Sequence, residues 1–417
     1  METNYFHFIN VKTNEEVHDN NKSSRFINTL PVSVVYDYKH IKKYFSQPSF
    51  RKHPITCLKY KQLYPMKQST KFKSLQEGGT PLYPSFSLSK KLDLANLYFK
   101  YEGMNPTGTF KDRGSVIEIT NAIEHDVKGI IVASTGNMAA SVSAYCARAS
   151  ILCFVFIPEG TPQTKLVQTL FYRGNIIKIK GTYDQASMLA QKIAEEFNLY
   201  LAGDYVFRTE GQKSQAYEII EQLNFEVPDY VIVPAGNGTN IFAIWKGFQE
   251  YFEMNLIDKL PRMVAVQVNS HKPIVTAFEK DLSEITFVKP LMSSLKATVA
   301  SAIAVDNPVD GNKVLNLLKK SKGTALAVTD KEILKAQMEL ASSESLFVEP
   351  SSASVLAALT KLVVCDKIGK DATVVCLLSG CGFKDPFSGA RYFPEGFTVE
   401  PEFLAVKKIF QKKQWIK

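Results

Sequence analysis

Short apolar, β-branched runs alternate along this chain with longer segments whose apolar residues recur at helical spacing. The strand-like runs are Leu97 to Lys100, Gly129 to Ser134, Ile151 to Ile157, Asn175 to Ile179, Tyr230 to Pro234, Met263 to Val268 and Thr373 to Leu378. Between them, Ala139 to Ala149, Tyr183 to Phe197 and Ile241 to Phe252 have helical character. Strands alternating with helices of about ten or more residues predict an α/β fold of parallel sheets with helices on their faces. Residues 1 to about 74 lack this rhythm and read as polar and irregular, apart from strand character at Pro31 to Tyr36. The tail from Phe387 to Lys417 is basic and aromatic.

Composition narrows the class. Hydrophobic residues make up 45% of the chain and charged residues 22%, which suits a globular protein with a sizeable core. The net charge of +9 is spread along the chain rather than gathered into a basic run, so no nucleic-acid partner is expected. The six cysteines include no CxxC pair, and several sit in apolar runs, so they read as buried thiols of a reducing compartment. No charged-then-apolar leader opens the chain, and no apolar stretch approaches the roughly 18 residues that span a bilayer. The expectation is a cytoplasmic protein with no membrane partner.

Ligands of open parallel sheets bind at loops beyond the carboxyl ends of strands. Four such loops carry chemistry here. Asn105 to Gly114 contains Lys111 between Phe110 and the Asp112-Arg113 pair, a setting in which desolvation and a neighbouring cation favour a neutral amine nucleophile. Ser134 to Ser141 places hydroxyls and free N–H groups at a helix start, suited to a carboxylate. Gly236 to Asn240 can form a backbone nest for a phosphate. A dinucleotide fits less well, because Ile241 holds the third-glycine position and Asn269 follows Val268 where a ribose-binding acid is required. Leu377 to Gly382 offers Ser379, a hydroxyl able to face a neutral ring nitrogen. Taken singly, each loop is also compatible with a surface lysine, an ordinary N-cap or a Ser-Gly turn.

In order, seven segments resemble the fold-type II pyridoxal 5′-phosphate (PLP) enzymes, and among them the threonine synthase family. They are Glu77 to Leu82, Asn105 to Gly114, Ser134 to Ser141, Arg208 to Lys213, Gly236 to Asn240, Phe347 to Ala353 and Ser379 to Pro386. The resemblance implies two open twisted parallel-sheet domains, like the tryptophan synthase β chain, with PLP in the cleft between them. The larger would comprise residues 75–114 and 206–390, and a smaller, mobile one residues 115–205. A variable segment (1–74) and a basic extension (391–417) would flank them. It implies that Lys111 holds PLP as a Schiff base and moves substrate protons, and that Asn137 meets the cofactor 3′-oxygen. Gly236, Asn237, Gly238, Thr239 and Asn240 would cradle its phosphate, and Ser379 would face its ring nitrogen. Ser134 and Thr135 would receive the substrate carboxylate and Arg208 a substrate phosphate.

The implied reaction converts O-phospho-L-homoserine and water to L-threonine and phosphate. The alternatives are β-elimination or β-replacement on a serine- or threonine-type substrate, and a non-catalytic binding protein of the same fold. The resemblance is compatible with a monomer or a homodimer. Three substrate-side segments depart from the family pattern: Met138 replaces a Thr, Ala202-Gly203-Asp204 stands where an Asn-Ser pair precedes the Arg, so that an inward-pointing Asp204 would repel a phosphate, and Ala304 to Pro308 replaces Ile-Arg-x-Gly-Asn-Pro. Together these weaken the expected hold on a substrate phosphate.

Overall fold

The computed structural model describes residues 5–11, 13–17, 32–45, 47–286, 297–390 and 396–413. Residues 1–385 form one compact unit and 386–417 a second, which contains the helix Phe403–Lys413.

Among its described residues the first unit holds three sheets. The largest has the order β12-β11-β10-β13-β5-β4. Its strands are β4 (Leu82–Pro84), β5 (Asn96–Tyr101), β10 (Tyr230–Pro234), β11 (Arg262–Val268), β12 (Thr324–Val328) and β13 (Thr373–Leu378). All neighbours run parallel except β4, which pairs antiparallel with β5 at the edge. The second sheet is wholly parallel, in the order β8-β7-β6-β9, from β6 (Ile130–Ala133), β7 (Cys153–Pro158), β8 (Asn175–Ile179) and β9 (Tyr200–Ala202).

Helices cover both faces of each parallel sheet, which is why its strands read as unbroken apolar runs rather than alternating ones. In β10, Val231 and Val233 pack with Ile241, Ile244 and Phe248 of the helix Thr239–Glu253. Ile232 points the other way, into a cluster with Val355, Leu356 and Leu359 of the helix Pro350–Val364. The smaller sheet repeats the arrangement. Ile130 and Val132 face Val142 and Tyr145 of the helix Asn137–Ala149. Ile131 faces Ala186, Ala190 and Ala194 of the helix Tyr183–Phe197. That second helix starts at a capping box, in which Thr182 and Gln185 satisfy each other's backbone N–H.

The amino-terminal segment differs from its expected irregularity. β1 (Phe6–Asn10), β2 (Glu16–Val17) and β3 (Val32–Tyr36) form an antiparallel sheet in the order β2-β1-β3. It is anchored by Phe8 against Phe207, with ring centroids 5.8 Å apart, and by the Tyr36 hydroxyl donating to Glu210 at 2.6 Å. Strand β3 matches the strand character expected at Pro31 to Tyr36, whereas β1 and the two-residue β2 lie outside the expected strands. Pro31 lies outside the described residues. Of the cysteines, Cys57, Cys146, Cys153 and Cys376 are buried as expected, but Cys365 is exposed. No described helix is long and apolar enough to cross a membrane.

Candidate active site

Four chain segments reach one region from the carboxyl ends of strands. Lys111 starts the helix Lys111–Glu124 after the turn that follows β5, and Ser379 follows β13. Gly236 to Asn240 follow β10, and Ser134 to Asn137 follow β6. The Phe110 amide donates to the Ser379 carbonyl at 3.1 Å, and Thr109 bridges to Gly380, so the lysine turn and the serine turn lie side by side.

The lysine turn is held from below by Asp112. This fully buried carboxylate accepts from the Thr107 amide at 2.7 Å, the Thr107 hydroxyl at 2.6 Å and the Ser141 hydroxyl at 2.6 Å. Burial pushes Asp112 up to about 6 despite those donors, which pull it down. Lys111 therefore projects from a fixed base. Its Nζ lies 3.3 Å from Oδ1 of Asp204 and 4.9 Å from the centre of the Phe110 ring.

Arg113 was expected to press on the lysine electrostatically, but it turns away. Residues two apart on a helix do not share a face, and Arg113 is fully buried against Glu102, Glu218, Thr80 and Ser214. Arg208 likewise does not open onto the site. Its Nε donates to the Gly203 carbonyl at 2.9 Å, its Nη1 to the Lys111 carbonyl at 3.2 Å and its Nη2 to Glu118, with no exposed surface. In place of a grip on a substrate phosphate, the guanidinium ties three segments together. Gly211 makes this crossing possible: a Cβ there would lie 2.0 Å from the Arg113 carbonyl oxygen.

The glycine loop is braced by Asp310, whose amide donates to the Asn237 carbonyl at 2.9 Å and whose Oδ2 accepts from Thr239 at 2.7 Å. Gly238 adopts φ +87°, a conformation disfavoured for residues with a Cβ, and opens the helix Thr239–Glu253. The first N–H groups of that helix have no partner within it. Asn240 adds a buried Nδ2 with no hydrogen-bond partner among the described residues. A backbone nest, an orphaned donor and a nearby primary amine are a donor set that fits a phosphorylated aldehyde such as PLP.

Two carboxylates complete the site: Glu349, which the sequence does not single out, and Asp204, whose direction the sequence leaves open. Glu349 accepts from Asn137 Nδ2 at 3.0 Å and from the Ser379 hydroxyl at 3.3 Å, and so joins the residues expected at opposite edges of the cofactor ring. Burial raises its pKa. Asp204 joins Lys111 to the glycine loop, since its Oδ2 accepts from Asn237 Nδ2 at 2.7 Å. Both acids stand in or beside recognisable segments, but nothing in the local pattern gives their direction. Ser134 and Thr135 are half-buried at the loop before the helix Asn137–Ala149. Asp306 faces away, with Oδ2 3.9 Å from His271 Nε2.

An α/β chain that brings a lysine, a glycine nest and a serine to the carboxyl ends of parallel strands has the architecture of the fold-type II cofactor enzymes. Residues 73–380 match the family described as "Pyridoxal-phosphate dependent enzyme", and the chain belongs to that family. Its cofactor is accordingly pyridoxal phosphate. It is 43% identical to a threonine synthase of Methanocaldococcus jannaschii, over 91% of this chain and 93% of that protein. It is 39% identical to a threonine synthase of Mycobacterium bovis, over 80% and 89% of the two chains. Its fold is similar to that of the processed form of threonine deaminase isoform 2 from Solanum lycopersicum, with a TM-score of 0.63 at 22% identity, covering 75% of this chain and 86% of that one. The fold of maize serine racemase is also similar, with a TM-score of 0.61 at 20% identity over 80% and 92%.

Proposed function

We propose that this chain is a PLP-dependent lyase of the threonine synthase type. It would eliminate the γ-substituent of an O-activated homoserine and add water at the β-carbon to form threonine. The first substrate to test is O-phospho-L-homoserine. The observation that carries the reading is the placement of Lys111 Nζ between Phe110 and the Asp204–Asn237 pair, at the mouth of the glycine loop. The relatives named threonine synthase support it across most of the chain.

When bound, PLP supplies the electron sink for chemistry at the substrate α-carbon. Lys111 would anchor it and carry protons between the substrate α- and β-carbons. Gly236, Asn237, Gly238, Thr239 and Asn240 would hold the cofactor phosphate with backbone N–H groups and the free Asn240 amide. Asn137 would donate to the ring oxygen, and Ser379 would face the ring nitrogen without forcing a proton onto it. Ser134 and Thr135 would receive the substrate carboxylate. Arg208 would act by fixing the Lys111 carbonyl and the Gly203 turn. Residues 115–205, built around their own sheet, would form the smaller domain and close on the larger one to exclude water. A cytoplasmic location and a homodimer are compatible with this reading.

The test is spectroscopic and then chemical. The purified protein should absorb at about 410–430 nm, and Lys111→Ala should abolish that band. Incubation with O-phosphohomoserine should release phosphate and form threonine in equal amounts. Absence of bound cofactor would sink the reading. A spectrum perturbed by serine but not by homoserine esters would transfer it to β-elimination.

A further inference from the structure

Asp204 belongs to one of the three segments that depart from the family pattern, and it takes a central position. One carboxylate oxygen lies 3.3 Å from Lys111 Nζ and the other accepts from Asn237 at 2.7 Å. The residue is held by its own turn, because the Gly203 amide donates to Glu118 at 2.9 Å and the Gly203 carbonyl accepts from Arg208. Burial works against its charge, but Lys111, Arg208 and the Asn237 amide outweigh burial and keep the carboxyl below its usual range. Asp204 is thus held as a carboxylate while Lys111 carries its charge, and Arg208 and the Asn237 amide favour that form independently of Lys111.

The cations around it are already engaged. Arg208 is paired with Glu118, while Lys384 donates to Gln168, faces Glu349 and Asp112, and has its charged form disfavoured by burial. Tyr183 and Tyr205, which also face Asp204, are both pushed up to about 12 by burial first and by Asp204 among the nearby acids, so they stay neutral. The segment bordering Gly236 contributes Ala302 and Val305, with Val305 Cγ2 3.4 Å from where a Gly236 Cβ would stand. Met138 adds a half-buried thioether. Beside the hydroxyls of Ser134 and Thr135, this side of the site presents apolar groups and a carboxylate where a phosphate calls for cations.

We propose that Asp204 is a specificity-determining residue that selects the leaving group, favouring an uncharged carboxylic ester of homoserine over a phosphate ester. The inference rests on the reading of Lys111 as the cofactor-anchoring base. A base that reaches the α- and β-carbons lies only two or three C–C bonds, each about 1.5 Å, from the γ-substituent. That substituent is then close enough to Asp204 for like charges to repel in a water-poor site. In the favoured reaction the Cγ–O bond breaks with its electron pair leaving on the carboxylate. The protons taken from the α- and β-carbons return to carbon, and water supplies the β-hydroxyl and one proton. Homoserine ester plus water gives threonine plus the free acid, with no oxidant or reductant.

The experiment compares the cofactor-loaded protein with Asp204→Asn and Asp204→Ser, after thermal melts establish that both variants are folded. Each is titrated with inorganic phosphate and with acetate by calorimetry, and kcat/KM is measured for the O-acetyl and O-phospho esters of homoserine. The expected result is at least tenfold tighter phosphate binding in both variants, with acetate binding within twofold. The O-acetyl to O-phospho ratio of kcat/KM should also fall at least tenfold. Unchanged phosphate affinity and an unchanged ratio in both variants overturn the proposal. If cofactor is bound but neither ester reacts, the threonine-forming reading fails, while the phosphate titration still decides the role of Asp204.

Discussion

The side-chain amide of Asn137 donates to Oε2 of Glu349 across 3.0 Å, joining the first residue of one helix to the N-cap of another. Because Glu349 also accepts from Ser379, one buried carboxyl orients the two groups expected at opposite edges of the cofactor ring. Glu349→Ala should release Asn137 and leave the Ser379 side chain held only by the Ser352 hydroxyl at 2.8 Å. Cofactor affinity, measured by equilibrium dialysis, should fall about tenfold, the equivalent of one lost orienting hydrogen bond. Unchanged affinity would show that Asn137 and Ser379 are held by other means.

Arg208 and Glu118 form an ion pair with no exposed surface. Arg208→Ala leaves Glu118 buried without its partner, and the expected loss of stability is about 3–5 kcal/mol. Urea unfolding measures it. A residue whose task was to grip substrate would instead raise KM and leave the unfolding midpoint in place.

Beneath the lysine turn, Glu218 accepts from Arg113 at 2.6 Å and 2.7 Å and from Lys100 at 2.7 Å, all fully buried. Burial alone would raise Glu218, but Arg113 and Lys100 together hold it well below the usual carboxylate range. A depressed folded pKa contributes stability that is present above the unfolded pKa and lost as pH falls through the folded one. Glu218→Gln should therefore destabilise by roughly 3 kcal/mol or more at pH 7 and progressively less in acid, as followed by urea midpoints from pH 7 downward.

Asp112 has the opposite sign. Its pKa rises from 3.8 to about 6 on folding, so the folded state holds the proton more tightly than the unfolded chain. Its contribution to stability is full below about pH 4 and declines to its plateau above about pH 6. The decline is on the order of 2–3 kcal/mol across that window. Asp112→Asn should lack this slope while losing a carboxylate acceptor for the Thr107 amide. Parallel pH profiles of the unfolding midpoint for the two proteins would contradict the assignment.

The strand ends that carry Lys111, the glycine loop and Ser379 were legible in the chain because each follows an apolar run within a few residues. Parallel sheets place such turns on one rim whatever their order. The helix Tyr183–Phe197 and strands β8, β10 and β13 match their apolar segments to the residue. Strand β12 escaped because Thr324–Val328 alternates with alanine, a weak strand former, and β9 because it has only three residues. In the amino-terminal sheet β3 was legible as strand, but β1 was not, because Phe6–Asn10 pairs with Val32–Tyr36 across a long stretch of chain.

Sequence alone determined that this chain is an α/β protein with an amine, a phosphate nest and a hydroxyl at the ends of its strands. Those features are local, since motif spacing and hydrophobic period specify them without reference to distant residues. Tertiary structure decided which way the charges face. Arg113 and Arg208 look like site cations in the chain, but carboxylates far away in sequence, Glu218 and Glu118, draw them into the interior. Glu349 looks incidental and Asp204 could face either way, yet the folding of separate segments onto one rim turns them toward Asn137 and Lys111. A buried charge goes where its partner is, and the position of that partner is a property of the fold rather than of the neighbouring residues.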